Sequence, residues 1–200
     1  MGISIDMKFR IEWFIIGVLV FISGCAKNKI MMKNDKTPYI TKECNRELYR
    51  GTELKGPPID MIKVFKKKRR LYAYSKGKKV YEFRVSLGKN GDKGHKVRVG
   101  DYRTPTGHYR IVRKKCDRRL YKSLMISYPD REDRARARHL GVKPGGYITI
   151  HGQPKWNKNG EGDNYTLSRD WTEGCIAVSN KAIDTLWVAV KNGVKIDIYK

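Results

Sequence analysis

The 200-residue chain holds 44 Lys and Arg against 20 Asp and Glu, a net charge of +24, with 40% hydrophobic residues. That length suits one ordinary domain with its own core. The charge surplus would draw any polyanion, nucleic acid first, so the compartment decides which partner class survives.

At the N-terminus Lys8 and Arg10 precede an apolar run from Trp13 to Ile22, followed by Ser23-Gly24-Cys25. The run falls short of the ~20 apolar residues that a bilayer-spanning helix needs. Its charged, apolar and small-residue order is that of a secretory signal. Ile22-Ser23-Gly24-Cys25 resembles a bacterial lipobox, which implies lipidation of Cys25 as the first mature residue. Ala26 resembles the outer-membrane sorting pattern of a Gram-negative cell. The expectation is a periplasmic lipoprotein of the cell envelope, anchored to the membrane through lipid. Removing residues 1–24 takes away Asp6, Lys8, Arg10 and Glu12, so the charge stays at +24. An exported chain rarely meets nucleic acid, and none is expected as a partner. Lipid head groups and cell-wall carboxylates are the anions of that compartment.

Residues 25–58 are polar, basic and without sustained periodicity, closing on Gly56-Pro57-Pro58, and read as a flexible tether. Residues 59–200 form the domain. Met61–Phe65 and Leu71–Tyr74 alternate around a basic turn, as in a hairpin. Val80–Leu87 alternates next, and Lys89–Gly94 is turn chemistry. Tyr109–Val112, Ser123–Ser127, Tyr147–His151 and Val194–Tyr199 read as further strands. Two helices interrupt them. Asp130–Leu140 carries acids first and bases last, which suits the helix dipole. The second, capped by Ser179 or Asn180, runs to about Lys191 with Ile183, Leu186, Trp187 and Val190 as its apolar stripe.

Cys44 and Cys116 could pair in an oxidising compartment, though Cys44 lies in the tether. His95, His108 and His139 form no metal constellation, so neither metal nor cofactor is expected. The chemistry concentrates in Ile148-Thr149-Ile150-His151-Gly152 and Thr172-Glu173-Gly174-Cys175-Ile176-Ala177. A thiol at pKa ~8.5 is only slightly ionised near neutrality. A histidine at pKa ~6.5 in hydrogen-bond reach can take its proton. Cys175 and His151 therefore read as nucleophile and base of a cysteine acyltransferase or hydrolase.

Further segments fall in order around this pair. They are Val85-Ser86-Leu87-Gly88, Gly100 to Tyr109 with its Thr104-Pro105-Thr106-Gly107-His108-Tyr109 turn, Ser127-Tyr128-Pro129 and Pro144-Gly145-Gly146. The set, over about residues 59–200, resembles the L,D-transpeptidase catalytic domain, or YkuD-type, family. The resemblance implies a mainly β (α+β), β-sandwich-like domain with short helices, acting on peptidoglycan stem peptides. Cys175 would attack the carbonyl following the L-centre of diaminopimelate in a tetrapeptide stem and release D-alanine from a thioester. An acceptor amine would then give a 3–3 cross-link or attach a protein; water would give carboxypeptidase activity. His151 matches the base, oriented by a main-chain carbonyl nearby, that of Gly152. The N–H groups of Gly174 and Cys175, in the turn begun by Thr172, are oxyanion candidates. Arg169 is a candidate for stem carboxylates or for a salt bridge with Asp170.

The chain departs from many members at Glu173, where they carry His, and at Ala177, where they carry Arg or Asn. It also has a long segment between His151 and Cys175, with Trp156, Gly160 and Gly162, that could act as a lid. The same site would serve an L,D-carboxypeptidase or amidase. A non-catalytic wall-binding lipoprotein is the alternative from another class.

Overall fold

The computed structural model describes residues 42–50 and 56–200. Cys25 and the expected signal peptide lie outside the described residues. The strands are β1 (Ile59–Phe65), β2 (Arg70–Ser75), β3 (Lys78–Arg84), β4 (Gly107–Asp117), β5 (Tyr121–Ile126), β6 (Thr149–His151), β7 (Ile176–Ala177) and β8 (Val190–Tyr199). They form one sheet in the order β3-β2-β1-β8-β4-β5-β6-β7.

Alternation sets the inner face. Ile62 and Val64 of β1, Leu71 and Ala73 of β2, and Ile196 and Ile198 of β8 are buried, while their neighbours stay half-exposed. Each such aliphatic side chain contributes roughly 1.5–3 kcal/mol on burial. The last strand in sequence sits mid-sheet, parallel to β1 and antiparallel to β4. Strand β4 pairs with β8 over Gly107–Arg110 and with β5 over Ile111–Asp117, with a register break between Ile111 and Arg113. The sheet curls at this shared strand, giving the mainly β domain with short helices that the sequence implied.

Helix α2 (Arg131–His139) starts in a capping box between Asp130 and Asp133. Asp133 is buried and takes Tyr109 Oη at 3.0 Å and His95 Nε2 at 2.9 Å. The first-turn acid thus also locks the 88–106 loop to β4. Helix α4 (Asn180–Ala189), capped by Ser179 Oγ on the Ala182 N–H, packs its Ile183, Leu186 and Trp187 face on the core. It ends before the expected Lys191, because Val190 pairs with Ile59 and the chain passes straight into β8.

One segment departs from its sequence reading. Within the segment read as tether, residues 42–50 form helix α1 (Lys42–Arg50), joined to β4 by a Cys44–Cys116 disulfide. Lys122 Nζ lies 2.8 Å from Glu47 of α1 and 2.7 Å from Asp184 of α4. These tertiary links, not local periodicity, hold the helix. In the basic turn between β1 and β2, Lys66 is 1% exposed. Its Nζ donates to the carbonyls of Gly94 at 2.7 Å and Thr104 at 2.8 Å, and to Thr106 Oγ1 at 3.2 Å. Burial, with Arg69 and Arg103 nearby, lowers its pKa to about 8.

Candidate active site

The site grows from the strand period. Thr149 and His151 share one face of β6, and Ile148 and Ile150 are buried in the core; Tyr147, before the strand at positive φ, offers only its carbonyl. Strand β7 runs parallel beside it, Ile150 opposite Ile176, so the turn before β7 delivers Cys175 against that face. The free thiol lies 3.6 Å from Thr149 Oγ1 and 3.7 Å from the Tyr147 carbonyl oxygen, and it lines one cavity with His151.

His151 is buried, with its ring edge-on to Trp171. Its Nδ1 lies 2.7 Å from the Gly152 carbonyl oxygen. A carbonyl only accepts, so Nδ1 carries the proton and Nε2 keeps the lone pair for the thiol. Gly152 is a glycine because a Cβ there would meet Asn180 Oδ1 at 2.5 Å and Ile183 Cγ2 at 3.1 Å, both on α4. Burial pushes the Cys175 pKa up, but the hydrogen bond and charge of His151, helped by Thr149, outweigh it and leave the thiol lowered.

The turn carrying the nucleophile is held from both sides. Thr172 N donates to the Leu87 carbonyl at 3.1 Å, and Lys89 N to the Thr172 carbonyl at 2.9 Å. Thr172 Oγ1 donates to the Cys175 carbonyl at 2.8 Å and accepts the Gly174 N–H at 3.1 Å. The Gly174 N–H is therefore already committed and is not an open oxyanion donor. The Cys175 N–H is the remaining one, with no partner among the described residues. Gly174 sits at φ +130°, and a Cβ there would lie 2.8 Å from the Arg103 carbonyl oxygen. Close packing of the 88–106 loop, rather than room for substrate, demands glycine here. That loop is fixed by Asp101, which accepts the N–H groups of Val97, Arg98 and Arg103 and Lys96 Nζ. Burial would raise the Asp101 pKa, but these bonds bring it down to about 2.

Arg169 is not brought to the thiol. It stacks on Tyr165, 3.8 Å from the ring centroid, and Asp170 pairs instead with Arg69 Nε at 2.9 Å. The long segment folds as a short 3-10 turn (Lys155–Asn157) and α3 (Asp163–Thr166) around buried Asn157, which bonds Gln153, Gly162 and Asp163. Beside Cys175 opens a cavity of about 320 Å³, lined by Lys89, Arg119, His151, Trp171, Glu173 and neighbours. Tyr147, Thr149, Trp171 and Arg119 were not singled out from the sequence. Counting back two residues from His151 along the strand would have found Thr149.

The family model for the L,D-transpeptidase catalytic domain, YkuD, matches residues 60–198. The chain belongs to this family. A putative L,D-transpeptidase, YafK of Escherichia coli K12, is 31% identical over 163 residues, 79% of this chain and 55% of that relative. The chain thus spans about half the length of the curated relatives it matches. Among solved structures, the helical cell shape determining protein Pgp2 from Campylobacter jejuni is 26% identical with a TM-score of 0.52, covering 71% of this chain and 48% of that one. Bd1075 of Bdellovibrio bacteriovorus shares the fold at the same TM-score and coverage, with 24% identity. The YkuD match contains both His151 and Cys175.

Proposed function

We propose that this YkuD-family chain is a peptidoglycan L,D-transpeptidase working through a thioester on Cys175. The observation that carries the reading is a free thiol in one cavity with a buried histidine whose Nδ1 is tied to the Gly152 carbonyl. His151 Nε2 takes the thiol proton as Sγ attacks the carbonyl following the L-centre of diaminopimelate. The Cys175 N–H faces the developing oxyanion, a contact of ~3 kcal/mol in such sites. The proton passes to the departing D-alanine amine as the C–N bond breaks. An acceptor amine then attacks the thioester, its proton goes to His151, and the thiol returns. Export and lipidation at Cys25 belong to the same proposal, and a Cys25→Ala chain is expected in the soluble fraction.

The test is incubation of the chain with a disaccharide-tetrapeptide and, separately, with a carbapenem, whose strained lactam is an alternative acyl donor. Peptide mass spectra are expected to show an adduct on Cys175, and cross-linked products to exceed shortened stems. Shortened stems alone would make the protein a carboxypeptidase. No adduct from either, in folded protein with a reduced thiol, would leave a non-catalytic wall-binding protein.

A further inference from the structure

The cavity beside the thiol has an unusual charge pattern. Lys89 and Arg119 line one cavity together with Glu173, and none of the three makes a salt bridge among the described residues. Each comes from a fixed piece of backbone. The Lys89 N–H donates to Thr172 next to Glu173, and the Arg119 and Leu120 N–H groups donate to Asp117 Oδ1 at 2.9 and 3.0 Å. Trp171 lines the same cavity, and its buried indole N–H has no acceptor among the described residues.

We propose that this cavity binds a zwitterionic amino-acid end, an ammonium and a carboxylate on one carbon. Glu173 receives the ammonium; Arg119 and Lys89 receive the carboxylate. A purely anionic ligand would face Glu173, and a purely cationic one would face two like charges. A dipolar group has a partner for each of its charges. The inference rests on the proposed function, since diaminopimelate attacked at its L-centre carries such an end at its other centre.

The experiment measures calorimetric binding to the Cys175→Ala chain, which cannot turn over. Three tetrapeptide stems are compared: native, amidated at the distal carboxylate of diaminopimelate, and acetylated at its distal amine. Each blocked stem is expected to bind about tenfold more weakly. Adding Glu173→Gln should erase discrimination against the acetylated stem, and adding Arg119→Gln that against the amidated one. Equal binding of all three stems, unchanged discrimination in the variants, or no binding of any stem overturns the proposal. Acylation of the wild-type chain is read separately. A chain that forms the thioester but binds all stems alike loses only the cavity assignment; one that discriminates without forming a thioester loses only the enzyme.

Discussion

At Cys175 two opposing effects meet, and their balance decides reactivity. Burial disfavours the thiolate, whereas His151 and Thr149 favour it and prevail. His151→Ala is therefore expected to move the midpoint of iodoacetamide alkylation to higher pH and to slow acylation about 10²–10⁴-fold. Thr149→Val should move the midpoint in the same direction by less, because it removes one weaker donor. An unmoved profile in both variants would break the pair. Cys175, His151 and Gly152 were legible because each belongs to a short pattern in sequence. The commitment of the Gly174 N–H to Thr172 Oγ1 was not, since the two lie in one turn whose hydrogen bonds the sequence leaves open. Arg119 was hidden for another reason. It reaches the cavity from a hairpin more than fifty residues before Cys175.

Element by element, strands announced themselves where one face is buried. The short β7 did not, being two residues that become a strand only beside β6. Periodicity could not see Lys66 either. Its charge sits in a cage of two carbonyls and a hydroxyl that joins the β1–β2 turn to the 88–106 loop, and so to the backbone behind Gly174. With its folded pKa lowered to about 8 from 10.5, the native state sheds a proton that the unfolded chain keeps between those values. Stability from this group should thus rise across pH 8 to 10.5, by on the order of 3 kcal/mol. Denaturant melts of wild type and Lys66→Met across that range test the sign. The wild-type curve should gain relative to the variant as pH rises, and parallel curves would refute the caged-ammonium account.

Across the whole molecule, the cavity depends on links far apart in sequence. The β4–β5 hairpin bears Arg119 and Leu120 at its tip, and β5 pairs Ser123 with His151. The Cys44–Cys116 bridge fastens α1 just before that tip, and Lys122 just after it holds Glu47 and Asp184. The pair spans 72 residues, so closing the loop removes unfolded-chain entropy of roughly 4 kcal/mol. For a domain of this size that corresponds to roughly 10 °C in melting temperature. Reductant should lower the wild-type melt by about that much, and a Cys44→Ala/Cys116→Ala chain should melt low with or without it. Cys175 stays free throughout, so reductant acts on stability without consuming the nucleophile. A wild-type melt indifferent to reductant would mean that α1 is held by Lys122 and packing alone.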